Sequence, residues 1–410
     1  MTSSLESTSK TAGLDRQDAA DPQARRLPSL TGMRFVCAVL VFGTNATVMG
    51  FFASPETAGT FTEMVRQGGY AGITYFFILS GFILTWCARS GEGAGSFWRR
   101  RFFRIYPAYL VALVAGFVLT VTVQGMIFDR KWALLDVFMV QSWAPSIETR
   151  SNTVAPLWSL SVEAFFYLCF PLLLALVSRV RAERLWAWVV GVVAAIFAIP
   201  VVVSFLPSGT AYPDYFTNST EVWLIHQFPA TRLLEFVIGM LLARIVLTGR
   251  RLPVGLGGAV ALAAVAYWFA SFLPGRFHMV AIMVVPLALV VAAGAAQDLA
   301  GRRTFISGRV WTRLGEISYS FFVLQWLVLL FGHYWITGMT PQGNAAAFGL
   351  IALLFVVTLA LAWVLHVSVE RPLMRRFSRS HRSGADRPVS AEPPAQDVAD
   401  DPQEAGRRTS

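Results

Sequence analysis

The stretch from Gly69 to Leu110 reads GYAGITYFFILSGFILTWCARSGEGAGSFWRRRFFRIYPAYL. Its first part, Tyr70 to Ala88, is apolar and uncharged. At about 1.5 Å of rise per residue, that run is long enough to cross a hydrocarbon core of about 30 Å. A Gly-rich turn, Gly91 to Gly95, follows it. Then come Arg99, Arg100, Arg101 and Arg104, and a second apolar run begins after Tyr106-Pro107. Two readings of the basic cluster stand side by side. Arginines beside a span hold their loop in the cytoplasm. Four guanidiniums on a short loop between spans also form a site for a polyanion such as a phosphorylated cofactor. Arg101 and Arg104 are three residues apart and share a face wherever the chain is helical.

The composition agrees with a membrane protein. The chain has 410 residues, 55% of them hydrophobic, and a mean hydropathy of +0.55. Such values belong to a polytopic chain rather than a soluble one. The net charge of +10 does not point to nucleic acid, because the arginines sit beside spans, where topology and anionic lipid account for them. Cys37, Cys87 and Cys169 lie in apolar segments without metal-ligand spacing, so they read as small hydrophobes.

Outward from the opening stretch, apolar runs predict an all-α, polytopic transmembrane helical bundle of about ten spans. They start near Leu30, Tyr70, Pro107, Ala155, Leu185, Ala230, Val254, Met279, Ile317 and Ala346. Trp132 to Trp143 is apolar but too short to cross, and reads as re-entrant or interfacial. With this count the arginine-rich loops fall on one side: Arg25/Arg26, Arg89 to Arg104, Arg179 to Arg184, Arg250/Arg251, Arg302 to Arg313 and Arg371 to Arg379. That side is the cytoplasm, and both termini lie on it. Residues 1–26 and 378–410 are polar and expected to be disordered cytoplasmic tails; residues 27–377 form one membrane domain.

Several polar residues fall inside the spans, where an ionisable group is costly and a candidate for function. Arg34 lies in the first span near its cytoplasmic end, where snorkelling also explains it. Asn45 is eleven residues on, about three helical turns and 16 Å along the same face. Glu163 lies in the fourth span with Tyr167 at i+4. A carboxylate there is protonated, paired with an arginine, or lining a wet cavity. Arg232 and Glu235 are spaced to pair, and Gln325 is polar within the ninth span.

Seven segments, taken in order, resemble the acyltransferase-three family of integral-membrane acyltransferases. They are LTGMRFVCAVLVFGTNA, GYAGITYFFILSGFILTW, WRRRFFRIYPAYL, PLWSLSVEAFFYLCFPLL, EFVIGMLLAR, LGEISYSFFVLQW and VERPLMRRF. The likeness covers about Leu27 to Phe377. It implies acyl transfer from acyl-CoA, acetyl-CoA being the expected donor, to a hydroxyl of a sugar or a secreted small molecule. No metal is implied, and the cell membrane is the expected location. By resemblance Arg34 is the family's first-span arginine, Arg101 and Arg104 are the arginines near the donor, and Glu163 is the acidic residue of the fourth span. Tyr167 and Gln325 are candidate substrate contacts.

One departure matters. The family's first span carries a histidine where this chain has Asn45, and many relatives carry another where it has Gln325. An amide cannot take up a proton near neutral pH, so Asn45 cannot be a general base. It can position an acceptor or polarise a carbonyl. Three functions therefore stay open: an acyl-CoA-dependent O-acyltransferase with an altered catalytic centre, a tailoring enzyme of another reaction class on the same scaffold, and a non-catalytic relative serving surface-polymer export.

The arginine asymmetry carries a direct test. A cysteine introduced at Ser208, in a background lacking the native cysteines, is expected to react with an impermeant maleimide outside intact cells. A cysteine at Ser307 is expected to be protected. The opposite pattern inverts the topology.

Overall fold

The computed structural model describes residues 26–88, 91–125, 130–151, 153–212 and 217–377. Apart from Arg26, the tails expected at 1–26 and 378–410 lie outside the described residues, as do Arg89, Asn152, Asp214 and the tail residues Arg379 and His381. The longer helices are α1 (Pro28–Thr47), α2 (Pro55–Trp86), α3 (Ala94–Gln124), α4 (Arg130–Val137), α5 (Trp158–Ser178), α6 (Leu185–Val203), α7 (Pro229–Leu247), α8 (Leu256–Ala270), α9 (Ala281–Leu299), α10 (Arg309–Thr337), α11 (Asn344–Leu365) and α12 (Arg371–Phe377). Among the described residues the one strand pair is short, Ala211–Tyr212 against Thr217–Asn218. The all-α polytopic bundle is what the apolar runs predict.

Eight helical segments are long and apolar enough to span. The other two runs counted from sequence are α8, apolar but 15 residues long, and α7, which carries Arg232, Glu235 and Arg244. The expected interfacial piece is α4 with a short 3-10 turn at Gln141–Trp143, and neither is long enough to cross. Asp136 anchors it. Its side chain accepts from Thr153 at 2.7 Å, and its backbone carbonyl accepts from Tyr109 of α3 at 2.5 Å. Burial pushes the Asp136 carboxyl up to about 6, against the opposing effect of the Thr153 hydroxyl.

Two helix starts differ from the apolar runs, and both matter to the site. α2 begins at Pro55, fifteen residues before the apolar run. Ser54 caps it by accepting from the Thr57 N–H, Pro55 occupies the first turn and Glu56 faces the positive end of the dipole. α3 begins at Ala94, so Arg99 to Arg104 are helical rather than on a loop. The expected shared face of Arg101 and Arg104 therefore exists.

The core is built around α2, which packs most extensively on α7 and α1. Glycines permit this. A Cβ at Gly81 would collide with the Phe236 carbonyl oxygen, and one at Gly239 with the Ile78 carbonyl oxygen. α2 and α7 thus meet backbone to backbone, as small residues allow in membrane bundles. Gly315 of α10 lies equally close to the Thr31 carbonyl of α1. At the rim, 22% of the apolar window containing α6 is buried against 78% of that containing α9. The α6 side chains thus face outward, as lipid contact requires.

Gly239→Ala is expected to lower the melting midpoint of the detergent-solubilised protein. Overpacking of this kind costs about 1–3 kcal/mol. Gly191→Ala, at an exposed helical site with open space around it, is expected to leave the midpoint unchanged or raise it. Equal midpoints for the two variants would remove the close α2–α7 crossing.

Candidate active site

α2, α3, α5 and α10, with Arg34 of α1, enclose a cavity of about 260 Å³. It opens where α2 ends, because Cys87 both lines it and is exposed. Arg34, Arg101, Arg104, Glu163 and Tyr167 all line it, so five of the residues marked in the sequence share one chamber. Asn45 and Gln325 are not among its lining residues. Gln325 is fully buried in α10 with neither amide atom hydrogen-bonded, and the Asn45 amide nitrogen is buried without a partner as well.

Glu163 is held by two donors. The Tyr167 hydroxyl donates to Oε1 at 2.5 Å and the Ser80 hydroxyl donates to the same oxygen at 3.3 Å. The spacing of Glu163 and Tyr167 at i, i+4 places them together on α5. The other oxygen, Oε2, accepts from no protein group among the described residues. Tyr167 is fixed in turn, because the Trp98 indole N–H of α3 donates to its carbonyl at 3.0 Å. The Tyr319 hydroxyl donates to the Ile105 carbonyl at 2.6 Å and ties α10 to α3 beside the cavity.

The four arginines of the basic cluster divide by role. Arg100 is ion-paired with Glu92 of the Gly-rich turn, and Arg99 is exposed. Arg101 and Arg104 turn into the cavity. The Arg101 guanidinium lies 5.5 Å from the Phe97 ring centre and 5.9 Å from that of Tyr167, contacts that favour a cation. Its Nε has no partner among the described residues. Arg104 reaches the Met374 sulfur at 3.7 Å, a weak acceptor. Among the described residues no carboxylate lies within ion-pair distance of Arg34, Arg101 or Arg104. Three guanidiniums therefore face one carboxylate. At the end of α11, Glu370 is buried and accepts from Ser320 at 2.9 Å, with His366 Nδ1 also at 2.9 Å.

Sequence reasoning missed Ser80, Ser159 and Tyr319 as lining residues. The serines are small polar residues inside apolar runs, a signal too common in membrane helices to single them out.

Comparison with known proteins decides the family. A profile described as an acyltransferase domain, that of the acyltransferase-three family, matches residues 27–367. The chain belongs to this family. It is 36% identical over 390 residues to acyltransferase MdmB of Streptomyces mycarofaciens, covering 92% of this chain and 98% of that one. It is 27% identical over 347 residues to the exopolysaccharide production protein ExoZ of Rhizobium meliloti (80% and 95%). With the O-acetyltransferase OatA of Staphylococcus aureus strain NCTC 8325 it shares 25% over 216 residues, 48% of this chain and 33% of that one. No solved structure matches it. Membership makes the chain a membrane acyltransferase-family protein, and the family implies an acyl donor and an acceptor substrate.

Cys87 reports on that chamber. N-ethylmaleimide is expected to modify Cys87 well before the buried Cys37, as read by peptide mass spectrometry. Coenzyme A at saturation is expected to slow the Cys87 reaction severalfold. Equal rates with and without coenzyme A would place the ligand elsewhere.

Proposed function

We propose that the protein transfers an acyl group from acyl-CoA, with acetyl-CoA as the expected donor, to a hydroxyl of a sugar or secreted small molecule. The observation that carries this reading is the charge of the cavity. Three guanidiniums, none within ion-pair distance of a carboxylate among the described residues, share the cavity with a single carboxylate, an arrangement suited to a ligand with several negative charges. The phosphates of coenzyme A supply them, and Arg101 and Arg104 stand at the open end where those phosphates enter. The names of MdmB, OatA and ExoZ support an acyl or polysaccharide-related role.

The cavity residues then have defined work. The acceptor oxygen attacks the thioester carbonyl carbon and gives its proton to Oε2 of Glu163. The C–S bond breaks, and coenzyme A leaves as a thiolate that takes up a proton to become the thiol. Tyr167 and Ser80 hold Glu163 in place through Oε1. Arg34 stabilises the negative charge that develops on the carbonyl oxygen. Asn45 lies off the cavity lining, which supports Glu163 as the base in place of the histidine found at position 45 in relatives.

The test separates donor binding from chemistry. The double variant Arg101→Gln/Arg104→Gln is expected to weaken acetyl-CoA binding by at least tenfold, measured by calorimetry in detergent, with an unchanged melting midpoint. Glu163→Gln is expected to bind acetyl-CoA normally and to lose 10²–10⁴-fold in turnover, roughly the contribution of a general base. Full activity of Glu163→Gln would sink its role. Unchanged affinity in the double variant would return the arginines to a purely topological one.

A further inference from the structure

A second polar cluster lies beyond the deep end of the cavity. On α2 the cavity lining runs from Cys87 back to Ile73, about 21 Å of helix. One turn further back, the Tyr70 ring packs on two imidazoles, His226 at 4.7 Å and His278 at 5.4 Å between ring centres. Trp158 lies 4.7 Å from His226, and its neighbour Ser159 lines the cavity. Phe77 joins the two regions. It lines the cavity, and the Arg232 guanidinium stands 5.0 Å from its ring centre.

The polar atoms of this cluster are only partly used within the protein. Arg232 is 1% exposed, pairs with Glu235 at 3.0 Å and donates from Nη2 to Thr74 at 3.3 Å. Its Nε and Nη1 have no partner among the described residues. His278 is 4% exposed and its Nε2 has none, nor has the buried Nδ1 of His226. Buried polar groups are nearly always satisfied, so these call for a partner from outside the chain. The set is mixed. Arginine offers donors only, while a neutral imidazole nitrogen donates or accepts according to its tautomer. Glu235 already balances the Arg232 charge, so the cluster does not select an anion. Hydroxyl groups both donate and accept, and the C–H face of a sugar ring packs on aromatic rings.

We infer that His226, His278 and Arg232 bind the hydroxyls of a glycosyl acceptor, with Tyr70 and Trp158 against its ring. This rests on the acyl transfer proposed above and gives the acceptor its own site, at the end of the chamber opposite Arg101 and Arg104. The two sites are close enough to work together. Trp158 and Glu163 are five residues apart on α5, about 7.5 Å along the axis and about 140° around it, and Ser159 beside Trp158 lines the cavity with Glu163. An acceptor held at Trp158 presents a hydroxyl to Glu163 by reaching past Ser159. The histidines touch the acceptor as binding groups, and the proton passes to Glu163.

The test uses the full chain in lipid nanodiscs with labelled acetyl-CoA and a panel of alkyl and aryl glycosides. At least one glycoside is expected to be acetylated. With it, His226→Leu and His278→Leu are expected to raise the glycoside KM tenfold or more and to leave the acetyl-CoA KM within twofold. His226→Asn keeps a hydrogen-bonding atom near the Nδ1 position, and His278→Gln keeps one near Nε2. Both are expected to fall between wild type and the Leu variants, and they decide the matter if the Leu variants fail to fold. A glycoside KM unchanged in every folded variant overturns the inference. So does acetylation of simple alkyl alcohols in preference to every glycoside, which would leave the cluster as a hydration site only. A wild-type protein that does not bind acetyl-CoA refutes the acyl-transfer reading itself, and the acceptor site falls with it.

Discussion

An ionised group inside an apolar bundle needs a partner, and this chain meets that requirement in two different ways. Arg232 and Glu235 pair with each other at 3.0 Å, both about 1% exposed. Removing either would leave an uncompensated buried charge, which costs several kcal/mol, about 3–5 in measured cases. Arg34, Arg101 and Arg104 have no such partner among the described residues. They are tolerated because they face a chamber rather than lipid. The close α2–α7 crossing at Gly81 and Gly239 lies next to that chamber in the chain. Beside it on α2, Ser80 donates to Glu163 of α5, which also accepts from Tyr167. Packing and electrostatics are thus one problem in this fold, because the residues that let the helices meet also decide which charges are paired.

Much of this was legible in the chain itself. Hydropathy marks the spans, because lipid forces nearly every exposed side chain on them to be apolar. Pairs at i, i+3 and i, i+4 were readable wherever the helix was, so the Arg232–Glu235 pair and the Glu163–Tyr167 hydrogen bond follow from spacing alone. The start of α2 was not readable. Arg66 and Gln67 break the apolar run, yet Ser54 and Pro55 begin the helix well before them. Depth was harder still. Arg34 and Asn45 lie on one face of α1, but about 16 Å of axis separates them, and only Arg34 reaches the chamber. Helical phase gives direction and says nothing of where a cavity ends. The cluster of Tyr70, His226 and His278 was beyond sequence altogether. It joins α2, the π-helical turn before α7 and the turn before α9, three places with no local pattern in common.

The altered positions gain meaning from how α1 and α10 pack. The two helices run parallel: Gly315 meets the Thr31 carbonyl near their starts, and His333 meets the Met49 carbonyl at 3.1 Å near their ends. Phe42 and Phe321 pack between these points with ring centres 5.8 Å apart. Both end contacts set the same register, so Asn45 is level with Leu329 and Gln325 with Val41, about one turn apart along the axis. Asn45 and Gln325 thus stand about one turn apart on neighbouring helices, and both are amides whose buried nitrogens have no partner among the described residues. An amide keeps hydrogen-bonding capacity but takes up no proton near neutral pH. The carboxylate that retains proton uptake, Glu163, sits instead in the arginine-lined chamber with one oxygen held and one unclaimed by the protein. In the acyl transfer proposed above, the group placed to take the acceptor's proton is therefore Glu163, held by Tyr167 and Ser80 in the chamber that Arg34, Arg101 and Arg104 also line.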